Sequence, residues 1–458
     1  NGGDGLVLAM LLRRAGIDAR VARVGYDAGR KAPPDAAWAW AAAQSAGVPI
    51  SDELPLPGEF EATDLVVDAL LGIGQSRAPA GACADAIRVI NATRACVLAV
   101  DVPTGLCSDR GATLGDIAVQ ADATLTLLTP KAGLLTGAGR ELAGEIWFDA
   151  LGCEVGVAAG GQPATRLAGA AQAAAIYAVR RHLANKGSFG DVHVAGGAAG
   201  MVGAALLAAR AASAAGAGRV LVHAHSSDAG GALPVDVRHP ELMLRPAASL
   251  LPALREDAET TVVAGCGGGT EVARILPGCL AQAARLVLDA DALNAIVHDA
   301  KLRHALEQRG RRGMPTVLTP HPLEAARLLG ISAAEVQADR LAAGRRLAAE
   351  TGAIVILKGS GSLVAAPDGD VSINPTGDAR LATAGTGDVL AGWLGGSWAA
   401  YAKSAGASTT PLETASRVAI AAAYVHGAAC EHTPHVRGPL VASELVDAIV
   451  RAVEALPG

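Results

Sequence analysis

Aromatic side chains are scarce in this chain: only 3% of its 458 residues are Phe, Trp or Tyr, although 51% are hydrophobic. The core must therefore be built mainly from Ala, Val and Leu, whose small side chains suit closely packed helices and sheets. A chain of this length is too long for one core, so we expect two or three domains. The 56 glycines cluster in short loops and show no collagen-like period.

Several protein classes are disfavoured by what the chain lacks. The net charge is −6 and no long basic run occurs, so nucleic acid is not an expected partner. None of the seven cysteines forms a CxxC pair, so neither a zinc site nor a redox dithiol is indicated. No apolar run is long enough to span a bilayer. Without a secretory signal, we expect a cytoplasmic homo-oligomer with small-molecule partners and no membrane partner.

The order of helix and strand patterns predicts two α/β domains. Residues 1–150 alternate between the two patterns, which is typical of a mostly parallel sheet with helices on both faces. Residues 151–169 lose this periodicity and gain Gly, Pro and Ala, so we interpret them as a linker. A second alternation follows. We therefore predict domains at 1–155 and 170–458. The chain starts inside a motif with Asn1 rather than Met, and we expect its natural N-terminus to lie upstream.

Local patterns also predict the individual elements. Strands are predicted at 19–24, 64–70, 96–100, 124–128, 192–195, 220–223, 261–264, 286–289, 316–318, 354–357 and 363–366. Helices are predicted at 6–15, 203–215, 322–329, 336–350 and from 389 onward.

Three motifs in the first domain place glycines and acids at the ends of predicted elements. NGGDG (residues 1–5) precedes a helix, whose N-terminus favours anions. Asp68 lies near the end of one predicted strand and Asp101 directly follows another, and a glycine loop comes after each. Because ligands of α/β sheets bind beyond the carboxyl ends of strands, these motifs favour one polar crevice. The alternative is that each Asp only caps a helix or forms a turn.

In this order, NGGDG, VDALLGIG and DVPTG resemble the NAD(P)H-hydrate epimerase family, over nearly all of residues 1–150. The family has one more Asn before Asn1, and Ser where Thr104 stands. The resemblance implies a Rossmann-like three-layer domain, in which Asn1, Asp68 and Thr104 hold a potassium ion. It implies that Asp101 contacts the substrate and is the acid–base residue acting at C6 of the hydrated nicotinamide ring. The other implied substrate-binding residues are Asn1, Gly2, Gly3, Asp4, Gly72, Ile73, Gly74, Gln75, Ser76, Arg77 and Ala78.

The strongest motif of the second domain is AGTGDVLAG, at 384–392. Its glycine turn feeds a helix whose N-terminus can hold an anion, and Asp388 is either a helix cap or a catalytic base. KGSGS at 358–362 offers a second glycine-rich contact after a strand. GCGGG at 265–269 is a phosphate loop or a flexible turn, but not a Walker loop, because no GK[ST] follows. A lone His such as His321 is more often a local hydrogen-bonding residue than a catalyst.

NKGSFG, TPHPLE, LKGSGS and INPTGDARLATAGTGD, in this order, resemble the ADP/ATP-dependent NAD(P)H-hydrate dehydratases. This branch of the ribokinase-like superfamily is matched from about residue 170 to the end. The resemblance implies a ribokinase-like α/β domain that uses magnesium and ADP, with Asp388 as the catalytic base. The implied hydrate-binding residues are Ala204, Gly267, Gly269, His321 and Asp388. The implied nucleotide-binding residues are Lys358, Gly359, Ser360, Gly361, Ser362 and Gly387.

Together the two resemblances imply a bifunctional enzyme that repairs the hydrates NADHX and NADPHX. One domain would interconvert the R and S epimers, and the other would dehydrate the S form with ADP. The alternative is a small-molecule kinase of the ribokinase superfamily with a nucleotide-sensing N-terminal domain. That alternative accounts for GTGD but not for the motifs of the first 150 residues. A kinase would accumulate a phosphorylated alcohol, whereas the dehydratase releases phosphate and NAD(P)H.

Overall fold

The computed structural model describes residues 2–25, 33–153, 165–177, 179–227, 235–404, 409–433 and 437–458. The chain divides into two compact units, Asn1–Gln162 and Pro163–Gly458. Both are α/β units, which confirms the predicted fold class. No helix of the described residues is both long and apolar enough to cross a membrane.

The first unit is built around a four-stranded parallel sheet in the order β3-β4-β5-β6, and β1 and β2 form a separate parallel pair. Its apolar residues form separate clusters, one of which packs Ile87 of the helix α3 against Val97 and Ala99 of β4. Its helices and strands are α1 (Gly2–Arg14), β1 (Val21–Ala22), α2 (Pro34–Ser45), β2 (Ile50–Ser51), β3 (Leu65–Asp68), α3 (Ala82–Ala92), β4 (Cys96–Val100), β5 (Ala123–Leu127), α4 (Gly139–Leu142) and β6 (Glu145–Asp149).

Helix α1 begins earlier than its apolar pattern predicts. Gly2, Gly3 and Asp4 lie in its first turn rather than in a turn before it. The backbone N–H groups of a first turn have no partner within the helix, so these residues can still face an anion. A Cβ atom on Gly5 would lie 2.7 Å from the Cβ atom of Ala69. The missing side chain therefore lets α1 lie directly against the loop that follows β3.

The second unit contains a ten-stranded sheet in the order β10-β9-β8-β11-β12-β13-β14-β15-β16-β7, parallel except at β14–β15 and β15–β16. Its helices and strands are β7 (Arg166–Leu167), α5 (Ala170–Ala174), β8 (Asp191–Gly196), α6 (Val202–Ala214), β9 (Arg219–Ala224), β10 (Met243–Pro246), α7 (Leu250–Glu256), β11 (Thr261–Ala264), α8 (Val272–Gln282), β12 (Arg285–Leu288), α9 (Ala290–His298), α10 (Ala300–Arg311), β13 (Thr316–Leu318), α11 (Pro322–Leu329), α12 (Ala333–Ala338), α13 (Arg340–Thr351), β14 (Ile354–Leu357), β15 (Leu363–Ala365), β16 (Val371–Ile373), α14 (Thr386–Ser404), α15 (Pro411–Ala428) and α16 (Ala442–Glu454).

Two predictions about this unit are wrong in detail. Residues 166 and 167 belong to the predicted linker by composition, but they form β7, which pairs with β16. The helix predicted over 336–350 is two helices, because Asp339 adopts a non-helical conformation (φ −150°, ψ 79°) and accepts a hydrogen bond from the backbone N–H of Ala342. Asp339 therefore caps α13, and a short polar side chain does this better than it continues a helix.

Small residues bring α14 into close contact with α6 across the main core. Cβ atoms on Gly392 and Gly396 would lie 2.0 Å from the carbonyl oxygen of Ala208 and 2.2 Å from that of Ala212. Both alanines are fully buried. This close approach fixes α14, whose first turn carries Asp388.

Candidate active sites

Polar groups of the first unit meet where β3 ends. Asp68 is completely buried, and its carboxylate accepts hydrogen bonds from the Thr104 backbone N–H at 2.7 Å and the Thr104 hydroxyl at 2.8 Å. The backbone N–H of Leu70 donates to the same carboxylate at 3.2 Å. The Thr104 hydroxyl in turn accepts from the backbone N–H of Leu71. The structure therefore brings Asp68 and Thr104, two of the three predicted ion ligands, into direct contact.

These two side chains fit a monovalent cation by their chemistry. A carboxylate has about four acceptor positions, and the described hydrogen bonds to Asp68 occupy three. The hydroxyl of Thr104 likewise has a second lone pair. Burial raises the pKa of Asp68, and the hydrogen bonds from Thr104 and Leu70 lower it in part. A bound cation would relieve this cost. The third predicted ligand, Asn1, lies outside the described residues.

Asp101 lies beyond the end of β4, next to a lysine. The Lys131 ammonium donates hydrogen bonds to the Asp101 carboxylate and to the carbonyl oxygen of Leu127, at the end of β5. The side chains of Lys131 and Asp101 are each only 11% exposed. The backbone of Asp101 is held at φ 70°, a conformation that residues other than glycine rarely adopt. Backbone strain of this kind clusters at functional sites, so Asp101 is a candidate functional residue.

The loop over 72–78 is attached to the same strand ends. The backbone N–H of Gly105 donates to the side-chain oxygen of Gln75 at 2.6 Å, while the Gln75 Nε2 is buried and has no hydrogen-bond partner among the described residues. A Cβ on Gly115 would lie 2.7 Å from the Cβ of Ala78. Gln75 and Ala78 are therefore fixed beside the Asp68 and Asp101 region. The remaining predicted residues of this loop, Gly72, Ile73, Gly74, Ser76 and Arg77, are exposed or half-buried.

A second polar cluster lies at the carboxyl ends of β11, β12, β13 and β14. The carboxylate of Asp289, directly after β12, accepts hydrogen bonds from the Thr319 hydroxyl at 2.7 Å and the Lys358 ammonium at 2.8 Å. Thr319 follows β13, and Lys358 follows β14. Burial alone would lower the pKa of Lys358, but the carboxylates of Asp289 and Glu324 outweigh it and raise that pKa. Lys358 is therefore charged at neutral pH.

Asp388 joins this cluster from the first turn of α14. Its carboxylate, the Asp289 carboxylate and the Cys266 thiol each have an atom within 4.8 Å of the other two. Burial raises the pKa of Asp388 to about 6, and the negative charge of Asp289 contributes to the increase. Burial and the same two carboxylates raise the pKa of the Cys266 thiol well above its usual value. An acid with a pKa near neutrality is suited to act as a general base.

This cluster does not fit a magnesium ion. Magnesium requires oxygen ligands in near-octahedral geometry, whereas one of the three groups is a thiol. A second group, the Asp289 carboxylate, is already bound by Lys358. In proteins magnesium is commonly bound through substrate phosphates with retained waters. We therefore assign no magnesium ligand among these side chains.

The glycine loop over 265–269 lies against the start of α6. A Cβ on Gly267 would lie 2.6 Å from the carbonyl oxygen of Met201 and 2.9 Å from the Cβ of Ala204. A Cβ on Gly269 would lie 2.9 Å from the Cβ of Ala198. Since Cys266 is in this loop and beside Asp388, the structure brings together Ala204, Gly267, Gly269 and Asp388, as the resemblance implies.

His321 caps α11. Its Nδ1 accepts from the backbone N–H groups of Leu323 and Glu324, at 3.2 and 3.3 Å. The Glu324 carboxylate accepts in return from the His321 backbone N–H. The side chain of His321 is 47% exposed, and its Nε2 lies 3.4 Å from a carboxylate oxygen of Glu324. The predicted role of His321 as a local hydrogen-bonding residue is present, and it does not preclude a contact with substrate.

Arg340 stabilises the start of the loop over 358–362 through hydrogen bonds to backbone carbonyl oxygens. This arginine is fully buried and donates to the carbonyl oxygens of Leu357 and Lys358, both at 3.2 Å. A Cβ on Gly387 would lie 3.2 Å from the Lys358 Nζ. The two predicted nucleotide-binding segments therefore meet at the N-terminus of α14.

Sequence motifs did not identify several of these residues. Lys131 stands in no quoted motif, and its only signal was its position just after a strand. Asp289 is the last residue of the predicted strand 286–289, and the sequence indicates no further role for it. Glu324 was seen in TPHPLE without a role. The half-buried His426, which donates to the Thr386 carbonyl oxygen at 3.0 Å, gave no signal.

Known proteins with similar sequences and structures cover both units. Residues 1–133 match the family described as YjeF-related protein N-terminus, and residues 192–451 match the one described as NAD(P)H-hydrate dehydratase. The bifunctional NAD(P)H-hydrate repair enzyme Nnr of Escherichia coli (strain K12) is 36% identical over 400 residues, which are 86% of this chain and 73% of that protein.

Two further relatives match the second unit. The ADP-dependent (S)-NAD(P)H-hydrate dehydratase of Neisseria meningitidis serogroup B is 44% identical over 262 residues, 56% of this chain and 81% of that protein. The crystal structure of the ADP/ATP-dependent NAD(P)H-hydrate dehydratase from Bacillus subtilis, co-crystallized with ATP/Mg2+, is similar with a TM-score of 0.50 at 26% identity. It covers 65% of this chain and 100% of that one. These matches confirm both resemblances, and the chain belongs to the family of bifunctional NAD(P)H-hydrate repair enzymes.

Proposed function

We propose that this chain repairs NADH and NADPH hydrates by epimerising their R and S forms and then dehydrating the S form with ADP. The observation that carries the proposal is the convergence of Asp388, Asp289 and Lys358 at the N-terminus of α14. Family membership of both units supports the combination of an isomerase with a lyase. The ribokinase-like kinase alternative is not favoured, because it leaves the first unit and its full-length relatives unexplained.

In the first unit, Asp101 is the acid–base residue. Its carboxylate takes the proton of the C6 hydroxyl as the C6–N1 bond breaks and a C6 carbonyl forms, and it returns the proton to that oxygen when N1 closes on the opposite face of C6. The Lys131 ammonium donates to this carboxylate and holds it in place between turnovers. Gly2, Gly3 and Asp4 in the first turn of α1, with the loop over 72–78, bind the phosphates of the substrate.

Asp68 and Thr104 hold a potassium ion. Support comes from the complete burial of a carboxylate with an open acceptor position, next to a hydroxyl oxygen. The ion supplies positive charge beside the strand ends. Asn1 is the third proposed ligand, and only the family resemblance supports it.

In the second unit, Asp388 removes the proton from the C6 hydroxyl of the S hydrate. The freed oxygen attacks the terminal phosphorus of ADP, and AMP leaves. The C6–O bond of the phosphorylated hydrate then breaks, phosphate departs, and loss of a proton from C5 restores the ring double bond. The backbone N–H groups at the start of α14 bind the transferring phosphoryl group.

Ala204, Gly267, Gly269 and His321 form the hydrate pocket of this unit, in which the absence of side chains at Gly267 and Gly269 lets the loop over 265–269 lie against the start of α6. Gly387 and the loop over 358–362 bind the nucleotide. Magnesium, bound through the phosphates of the nucleotide, offsets their charge.

One assay tests the proposal as a whole. Purified protein is mixed with separated R or S hydrate and with ADP, ATP or no nucleotide, and NAD(P)H is followed by absorbance while free phosphate and AMP are measured. We expect NAD(P)H and phosphate in equal amounts from S hydrate, and from R hydrate after epimerisation. Accumulation of a phosphorylated alcohol without NAD(P)H would instead establish a kinase.

A further inference from the structure

Asp289 lies at the centre of the dehydratase cluster, although no motif gave it a role. Its side chain is only 2% exposed. One of its carboxylate oxygens, Oδ1, accepts from both the Thr319 hydroxyl and the Lys358 ammonium. These contacts join the ends of β12, β13 and β14. The carboxylate is therefore held in a fixed orientation by neighbours from two other strands.

The other carboxylate oxygen points towards the start of α14. A Cβ on Gly387 would lie 3.8 Å from the Asp289 Oδ2 and 3.2 Å from the Lys358 Nζ. The Lys358 ammonium is thus held at the place where the helix N-terminus would bind a phosphoryl group. A lysine side chain is flexible and loses several rotamers when it is held in one position. Asp289 supplies the contact that holds it.

We infer that Asp289 is a positioning residue for the dehydration reaction: it holds the Lys358 ammonium beside the N-terminus of α14 and places a second negative charge next to the base Asp388. This inference rests on the proposed function. Asp289 would act through two other groups, by fixing the cation that meets the nucleotide phosphate and by making the neighbouring carboxylate more basic. Two carboxylates this close cannot both ionise as easily as one alone.

Asp289 is the neighbour of Asp388 whose charge the experiment removes, and the other ionisable groups near Asp388 differ from it. The Cys266 thiol has a raised pKa and is neutral. His426 donates to the Thr386 carbonyl oxygen, and burial lowers its pKa to about 4. Asp291, in the first turn of α9, adds a negative charge, but its carboxylate accepts from the backbone N–H of Gly269.

Lys358 and Glu324 complete this environment. The ammonium opposes the effect of Asp289 on Asp388. Glu324, on α11, interacts with Lys358 and Asp289, and burial raises its pKa. Glu324 is therefore a second acid with a raised pKa in this cluster, and the experiment has to separate it from Asp388.

The experiment measures kcat/KM for S hydrate of NADH between pH 5 and 9, with saturating ADP and with correction for the rate without enzyme. For the unmodified protein we expect a fall in activity below about pH 6, as Asp388 becomes protonated. In Asp289→Asn this acid limb should move to lower pH by roughly one unit or more, the size of a shift caused by a neighbouring charge. Two changes in this variant act in the same direction. The negative charge beside Asp388 is lost, and the freed Lys358 ammonium also favours ionised Asp388. KM for ADP should rise.

Two matched variants isolate the charge of Asp289. Thr319→Val removes the hydroxyl that binds Asp289 but keeps its charge, so the acid limb should stay in place. Glu324→Gln keeps the cap of α11, and the limb should again stay in place if it belongs to Asp388. If Asp289→Asn folds poorly, Asp289→Ser, which also removes the charge and retains an acceptor for Lys358, replaces it.

The outcomes separate this inference from the proposed function. An unshifted limb in Asp289→Asn, an equal shift in Thr319→Val, or a limb that follows Glu324→Gln overturns the role of Asp289. Near-normal activity of Asp388→Asn would instead overturn the proposed role of Asp388 as the base, and failure of the unmodified protein to form NAD(P)H from S hydrate would overturn the proposed function. If Asp388→Asn is inactive and only Asp289→Asn shifts the limb, both are supported.

Discussion

Lys131 and Asp101 form an ion pair in which each side chain is only 11% exposed, and Lys131 reaches it from beyond the end of the neighbouring strand β5. The carbonyl oxygen of Leu127 accepts from the same ammonium. A buried carboxylate that loses its cationic partner carries an uncompensated charge. The pair therefore links two strand ends, and it places a positive charge beside the proposed acid–base residue.

Replacement of Lys131 should affect epimerisation without affecting dehydration. In Lys131→Met, the Asp101 carboxylate loses its cation, so we expect consumption of R hydrate to slow by at least tenfold, towards the spontaneous rate. Turnover of pure S hydrate should be unchanged, because that reaction takes place in the other unit. Lys131→Arg keeps the charge and should retain more activity than Lys131→Met. Equal activity of the two variants would contradict a role for the charge.

Asp101→Asn tests proton transfer directly. The amide can keep local hydrogen bonds, but it cannot take up and return a proton at neutral pH. Given a mixture of R and S hydrates with ADP, the variant should produce NADH in a fast phase that matches the S fraction, followed by a slow phase at the spontaneous epimerisation rate. The unmodified protein should show one phase if epimerisation is faster than dehydration. Conversion of both epimers at the normal rate would make Asp101 a structural residue.

Asp388→Asn should be less active but more stable. Asn is similar in size to Asp but is no base, so dehydration should fall by about two orders of magnitude or more. The folded protein raises the pKa of Asp388 to about 6, which means that folding disfavours its ionised form. Stability from this group is thus complete below the unfolded pKa near 4 and is lost as pH rises through about 6.

The stability part of this prediction has a clear pH signature. The gain in unfolding free energy of Asp388→Asn over the unmodified protein should be larger at pH 8 than at pH 4, by about 2 kcal/mol. Urea denaturation at both pH values measures it. A gain that does not depend on pH would mean that Asp388 has an ordinary pKa.

Asp68→Asn tests the proposed potassium site. The amide keeps the size of the side chain and an acceptor for the Thr104 hydroxyl, but it removes the charge that would bind the ion. We expect epimerisation to need a higher KCl concentration for half-maximal activity, with no change in dehydration of S hydrate. A matched titration with NaCl shows whether the effect is selective. An unchanged KCl dependence, with the variant folded, would remove Asp68 from the ion site.

A pair of glycine substitutions tests the packing that places Asp388. Gly392→Ala puts a methyl group 2.0 Å from the Ala208 carbonyl oxygen, so α14 and α6 must separate, at a cost of about 3 kcal/mol. Gly203→Ala lies in α6 with no atom within 4 Å of the new Cβ, and it should stabilise by roughly 0.5–1 kcal/mol. Thermal unfolding of both variants is the measurement. Similar shifts in the two would mean that the α6–α14 contact is not close.

The sequence alone determined the α/β class of both units, most of the buried strands, the family and the position of Asp388. Buried parallel strands are continuous apolar runs, and the glycine turn before Asp388 is a local signal, so both can be read without knowledge of distant contacts. The bounds of β4, β11, β13 and β14 agree with the predicted strands to the residue.

The tertiary structure decided which side chains meet. The contacts of Asp101 with Lys131 and of Asp289 with Lys358 join residues 30 and 69 positions apart, and such pairs depend on the order of strands in the sheet, which no local pattern contains. The same holds for β7, whose two residues form a strand only because the edge of β16 is available to pair with them. Burial within this arrangement, rather than the identity of the residue, raises the pKa of Asp388 to about 6.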